Sequence, residues 1–445
     1  MSLLPTARVP IPENGVDYRG TVVLAPMVRS GELPSRLLAL KYGADLVWGP
    51  ETIDRSLIGC VRRVNPRNGT IEFTRQPSNG GRTDIPPKES VISRIDTARE
   101  KGRLIFQLGT ADPALAVQAA TIVAGDVAGI DVNSGCPKPF STAGGMGAAL
   151  LRTPDKLVAI LEALVREVGE PFKIGISVKI RILSDPELTK SLVSRLVRTG
   201  ITGLTVHCRT TPMRPRERAI RDQLRMVAEI CHEAGVACVM NGDVTNRDQA
   251  LKMMKEYGVD GAMIATSAEA NSSVFRSEAD GGLAPWQEVV YHYLKFCIES
   301  ENRYGNTKYL LNMLISGKNK EFARAKLSKT YTDMCRNLKF DDLIPSAITL
   351  DEILHLNDKW EQTPGEDEKV LSKAVQNAME NNESARAAGG HGVRSKSISA
   401  PSHAGGPIRT LGIPEPSALA KSHPDVSVDA SIPVAEAAQK QELAA

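Results

Sequence analysis

Eight short runs of β-branched and aliphatic residues recur through the first two thirds of the chain, most of them followed by a stretch with helical spacing. They are "TVVLAP" from Thr21, "ADLVWG" from Ala44, "RLIFQLG" from Arg103, "AGIDVN" from Ala128, "FKIGISVKIR" from Phe172, "ITGLTVH" from Ile201, "VACVMNGD" from Val236 and "GAMIAT" from Gly261. Helix-like stretches such as "PALAVQAATIVAG", "PDKLVAILEALVREVG" and "PELTKSLVSRLVRTG" lie between them, opening at proline and closing near glycine. Alternating strands and helices require a parallel sheet wound by right-handed crossovers. Eight strands are the number that closes a (β/α)8 TIM barrel, so the expected fold class is α/β with that architecture. An open doubly wound sheet is the alternative. Against it, no G-x-G-x-x-G follows the first run, where "LAPMVRSGELP" stands instead.

A barrel of roughly 250 residues leaves room for appendages in a chain of 445 residues. Residues 1–19 read as an N-terminal extension and 20–282 as the barrel. Cys60 to Arg99, rich in Arg, Asn, Gly and Pro, reads as an inserted loop or hairpin. From about Pro285 the pattern turns helical, giving a small all-α domain over 283–365. No aromatic residue follows Trp360, and the Ala, Gly, Ser and Pro mixture of 366–445 cannot bury enough surface to fold, so a disordered low-complexity tail is expected there.

The formal net charge of +3 neither announces nor excludes nucleic acid, because a small balance hides opposed faces. Seven scattered cysteines, with no C-x-x-C pair and no cysteine/histidine cluster at zinc spacing, argue against a metal site and for a reducing compartment. No run approaches the ~20 apolar residues of a membrane span. The expectation is a cytoplasmic protein, with a nuclear fraction allowed, without membrane or metal partners and monomeric.

Chemistry in such a barrel lies at the C-terminal ends of the strands. The polar residues there are Gln107, Asn133 with Cys136, Lys179 with Arg181, His207 with Arg209, and Asn241 with Gly242 and Asp243, while Pro26 and Met27 follow the first run. Any one of them alone is as well explained by loop capping. Lys179 differs, because a lysine inside "ISVKIRI" carries a desolvation cost unless an anionic group meets it. A planar flavin, with carbonyl acceptors and a ribityl phosphate, matches Gln and Lys donors and the glycine-containing loops "MNGDV" and "IATSAE". Cys136, followed by proline and Lys138, reads either as an inert buried thiol or as a nucleophile or proton donor at the barrel mouth. The following "GGMGAALL" fails the Walker pattern and is weak as a phosphate loop.

Together, "LAPMVRSGELPSRLLALKYGADLVW", "FQLGT", "GIDVNSGCPKPFSTAGGMGAALL", "VKIRIL", "TVHCRT", "NGDV" and "NTKYLLNML" resemble the flavin-dependent tRNA-dihydrouridine synthases, in the eukaryotic tRNA-dihydrouridine(20) synthase branch. The resemblance covers about residues 20 to 340. It implies a barrel holding FMN and a helical domain that helps grip tRNA. It also implies hydride transfer to C6 of a D-loop uridine, assigned to position 20 by branch, with NADPH as reductant and NADH as the alternative. Cys136 is then the acid that protonates C5. The implied flavin contacts are Pro26, Met27, Val28, Gln107, Lys179 and His207 around the ring. Asn241, Gly242, Asp243, Ala265 and Thr266 serve the ribityl and phosphate end.

Two departures stand out. Thr266 occupies the place of an arginine usual in the phosphate loop of related sequences, and Asp243 puts an anion where a neutral residue is common. Only the low-complexity stretch follows the helical region, so no double-stranded-RNA-binding module is expected there, and tRNA contacts are expected from Arg29, Asn133, Lys138, Arg152, Arg181, Arg209, Arg214, Arg216, Arg218 and Lys308. Competing readings are a flavin barrel reducing a small metabolite, a flavin-lacking RNA-binding protein, and a Schiff-base aldolase using Lys179.

Overall fold

The computed structural model describes residues 8–75, 89–214, 216–314 and 320–357. All eight expected strands form: β1 (Thr21–Leu24), β2 (Leu46–Trp48), β3 (Leu104–Gly109), β4 (Gly129–Ser134), β5 (Gly175–Arg181), β6 (Gly203–His207), β7 (Ala237–Asn241) and β8 (Gly261–Ile264). They are parallel and ordered β2-β1-β8-β7-β6-β5-β4-β3, and Val47 and Trp48 of β2 pair back onto Leu104 and Ile105 of β3. The sheet is therefore closed, and the open doubly wound alternative is excluded.

The helices wrap the outside: α1 (Leu33–Lys41), α2 (Pro113–Val123), α3 (Pro154–Leu164), α4 (Pro186–Leu196), α5 (Leu224–Glu233) and α6 (Arg247–Tyr257). A proline in the first two positions opens each of α1 to α4, where its missing N–H costs nothing. Asp112, Asp185 and Asn246 cap α2, α4 and α6 by accepting first-turn N–H bonds. Burial follows the sequence pattern. One apolar layer lies between strands and helices. A second fills the barrel interior with Val16, Tyr18, Val23, Leu46, Trp48, Ile105, Val239 and Met263.

The N-terminal stretch has a structural task that sequence reading left as an extension. Tyr18 enters the barrel floor and is fully buried. Four strands begin with glycine at that end, and a Cβ on Gly203 would lie 2.6 Å from the Tyr18 ring, while one on Gly261 would lie 2.9 Å from its carbonyl oxygen. The glycines of the strand starts thus make room for an aromatic plug.

The insertion expected over Cys60–Arg99 is a three-stranded antiparallel sheet, Val61–Val64, Ile71–Arg75 and Ser90–Ile95. The C-terminal helices are α7 (Trp286–Glu299), α8 (Tyr304–Leu314), α9 (Lys320–Leu327), α10 (Tyr331–Leu338) and α11 (Ile344–Ile353), and the insertion meets the junction between α7 and α8. Glu301, between α7 and α8, accepts from Arg67 Nε at 2.5 Å and Asn65 Nδ2 at 3.0 Å of the insertion. Tyr42, just past α1, donates its hydroxyl to Glu288 of α7, so the helices are fastened to the barrel as well. The low-complexity tail expected over 366–445 lies outside the described residues.

Gly203→Ala is expected to destabilise the fold by about 1–3 kcal/mol, because the Tyr18 ring must shift inside a packed floor; urea denaturation monitored by circular dichroism measures it.

Candidate active site at the barrel mouth

Cys136 sits in the loop after β4, partly buried. The loop is shaped by Asn133, whose side-chain oxygen accepts the N–H groups of Gly135 and Cys136, both at 3.0 Å. Its amide N–H in turn reaches the Gln107 oxygen on β3 at 3.3 Å. The glycine-rich stretch supports the same loop from the other side. Gly147 has φ +56°, Ala148 N–H donates to the Cys136 carbonyl at 2.9 Å, and a Cβ on Gly147 would lie 2.6 Å from that carbonyl oxygen. "GGMGAALL" is therefore a buttress for the cysteine and not a phosphate loop.

Burial raises the Cys136 thiol above its ordinary pKa of 9.0, and the Glu51 carboxylate adds to the rise, against the Lys138 backbone N–H and ammonium. At neutral pH the group is a protonated thiol. Glu51 follows β2; its Oε1 accepts from Ser141 Oγ at 2.7 Å, and burial raises its own pKa.

Beneath this loop the barrel holds a polar layer. Asp131 on β4 is wholly buried and accepts from Gln107 Nε2 at 2.8 Å and Ser177 Oγ at 2.7 Å. Burial pushes its carboxyl up to about 6, against those hydrogen bonds and the Lys179 charge. Lys179 on β5 is drawn down to about 8 by burial and by Arg181 beside it, with Asp131 opposing. His207 on β6 is pushed down to about 2 by burial and by Lys179, Arg181 and Arg209, so it is a neutral imidazole. Its Nε2 lies 3.1 Å from Arg209 Nη1; a guanidinium only donates, so Nε2 accepts and the ring proton resides on Nδ1.

The loops after β7 and β8 lie side by side, Asn241 being in register with Met263 and donating its amide to the Met263 carbonyl at 3.0 Å. Gly242 at φ +119° and Asp243 at φ +53° turn the first loop sharply. Asp243 does not aim its charge into the mouth. Its carboxylate takes a bond from Arg209 and one from the Ala219 N–H at 2.7 Å, and these outweigh burial and hold its pKa below the ordinary value. Arg221 donates to the Gly242 carbonyl at 2.9 Å. Trans peptide geometry then points the Asp243 N–H the opposite way. Ala265 is half-buried and Thr266 exposed at the start of the short helix Thr266–Ala270.

Pro26 and Met27 are half-buried and Val28 is exposed in the tight turn after β1, where Gly31 N–H meets the Met27 carbonyl at 2.7 Å. Of the residues expected to meet nucleic acid, Lys138, Arg152, Arg214, Arg216 and Arg218 are exposed on loops at this face. Arg29 is exposed with φ +72°, its guanidinium 4.3 Å from the Tyr309 ring centroid on α8. Others are committed internally. Arg209, 5% exposed, holds Asp243 and the Glu217 carbonyl. Arg181 spans the carbonyls of Gly135 and Thr210 at 2.7 and 3.0 Å. Asn133 shapes the cysteine loop, and Lys308 donates to the Ser328 carbonyl at 2.9 Å between helices. In each of these four the polar head already meets a protein acceptor or donor, which gives it a positioning task within the fold.

Residues 23–337 match the family model described as dihydrouridine synthase (Dus). The chain belongs to that family. It is 48% identical over 324 residues to a tRNA-dihydrouridine(20) synthase (NAD(P)+) of Schizosaccharomyces pombe, covering 72% of this chain and 65% of that protein. It is 44% identical over 341 residues to the Saccharomyces cerevisiae protein of the same name, covering 73% and 86% respectively. A tRNA-dihydrouridine(20a/20b) synthase (NAD(P)+)-like protein of Mus musculus is 33% identical over 253 residues, 57% of this chain and 68% of that one. Within the family frame, the residues that sequence reading missed are Glu51, Asp131 and Ser177. Asp131 stood inside the quoted "GIDVNS", where an acid in the middle of a buried strand was the available signal. Glu51, far from Cys136 in sequence, had none.

A histidine kept neutral in the fold but free to protonate when unfolded makes stability fall as pH drops below about 6.5, by up to about 1.4 kcal/mol per pH unit. Chemical denaturation at several pH values is expected to show that acid loss reduced in His207→Gln.

Proposed function

We propose that this protein is an FMN-dependent, NADPH-driven tRNA-dihydrouridine synthase that reduces a D-loop uridine, at position 20. The single observation that carries the reading is Cys136, a thiol kept protonated by burial and by Glu51 at a barrel mouth that also presents Lys179, neutral His207 and Gln107. The names of the yeast relatives support the substrate and the position.

The residues present fit a flavin. One Gln107 amide N–H is used by Asp131, leaving the second as a donor, and Lys179 has a pKa of about 8, so its ammonium persists at neutral pH. The turn Pro26, Met27 and Val28 would flank the ring. Asn241, the Asp243 N–H and the Ala265–Thr266 loop would hold the ribityl phosphate, and the Asp243 carboxylate, being paired with Arg209, would not oppose it. When bound, the flavin supplies the hydride for C6 of the uracil.

Cys136 supplies the proton. Charge developing towards C5 and O4 needs an acid at that carbon, and a thiol with a raised pKa still holds its proton at neutral pH. The target base must leave its stack to reach a mouth of this depth, which suits a loop nucleotide. Exposed Lys138, Arg152 and Arg214 would meet the phosphates around it.

Unmodified tRNA incubated with the protein, FMN and NADPH is expected to gain dihydrouridine at one D-loop position, read by mass spectrometry. Cys136→Ala is expected to retain flavin and lose turnover by about 10²–10⁴-fold. Full turnover in that variant overturns the assignment, and bound flavin without dihydrouridine favours a small-molecule reductase.

A further inference from the structure

One hydrogen bond, from Ser141, is all that the described residues offer the Glu51 carboxylate. It is far from Cys136 in sequence, yet the chain brings it against the thiol from a different strand end. Its Oε1 is fixed by the Ser141 hydroxyl at 2.7 Å, and Ser141 is itself completely buried. Gly109, at the end of β3, leaves the carboxylate its space: a Cβ there would stand 2.7 Å from Oε1. The second oxygen, Oε2, is shielded from solvent and has no hydrogen-bond partner among the described residues. Cys136 lies beside this carboxylate, because Ser141, which holds Oε1, and the Cys136 carbonyl both crowd against Gly147. A buried carboxylate oxygen without a donor is costly, and rotation of the neighbouring Cys136 S–H would supply one.

We propose that Glu51 is a positioning residue that accepts the S–H of Cys136 and thereby holds the sulfur in its protonated form at the start of each cycle. This rests on the reading of Cys136 as the proton donor. In each cycle the S–H bond breaks, its proton forms the new bond at C5, and the electron pair stays on sulfur. Water then returns a proton to the thiolate. A fixed carboxylate raises the proton affinity of the sulfur and so favours that return. The other charged groups facing the sulfur are Lys138 on its own loop and Lys179 and Arg181 on β5, all cationic and all drawing the thiol towards the thiolate. Glu51 is the anion that opposes them.

The test is the pH dependence of Cys136 alkylation by iodoacetamide in the full-length protein, from about pH 6 to about pH 11, read on the Cys136 peptide by mass spectrometry. Glu51→Gln is expected to move the midpoint down by about one pH unit, and to move the alkaline limb of tRNA reduction down with it. Glu51→Asp, which restores the charge one methylene away, is expected to fall between the two, and it carries the test if Glu51→Gln does not fold. A midpoint that is unchanged or higher in a folded, flavin-binding variant overturns the proposal. Alkylation is read without tRNA, so a wild-type protein that makes no dihydrouridine would overturn the functional reading while the alkylation result still decides the coupling.

Discussion

Closure of the sheet is the constraint on which everything else rests. The pairing of β2 with β3 gives every strand two neighbours, so no edge is left with unpaired backbone groups. It also gathers the C-terminal ends of eight strands into one ring. Residues as distant in sequence as Met27, Cys136 and Asp243 share a single mouth only because that ring is complete. The glycines at the strand starts and the Tyr18 plug serve the same closure from below, where a bulkier residue would wedge the strands apart.

Most of this architecture was legible in the residues. Val-, Ile- and Leu-rich runs identified all eight strands, since a parallel strand buried on both faces has no polar alternation to confuse its reading. Prolines marked the helix starts and glycines their ends. The candidate ring of Gln107, Lys179, His207 and Asn241 was legible as well, because polar residues at strand ends stand out against apolar runs. What could not be read was pairing. Arg209 looks like one more cation in "HCRTTPMRPRER", and only the fold turns it inward onto Asp243. Likewise, the anion at Asp243 seemed to threaten a phosphate until its carboxylate was found bonded to Arg209 and the Ala219 N–H.

The mouth is an electrostatic compromise. Lys179, Arg181 and Arg209 crowd one side; burial, aided by these charges, keeps His207 neutral, and burial with Arg181 draws Lys179 down. Asp131 beneath them and Glu51 across from them are the balancing anions, each buried and each with a raised pKa. In such a site cations and buried anions are set against one another around the Cys136 thiol. That balance belongs to no single side chain.

The junction at Glu301 bears on how this protein can be recombined. Its carboxylate is 7% exposed and accepts from Arg67 and Asn65, while its backbone carbonyl accepts from Arg94 at 3.0 Å. All three donors come from the insertion between β2 and β3, and the acceptor comes from the start of the C-terminal helices. Removing the insertion side leaves a largely buried Glu301 carboxylate without its donors, which destabilises the junction. A chimera that imports the helices of a relative without the matching insertion inherits that penalty, so the two pieces form one exchangeable cassette despite lying about two hundred residues apart.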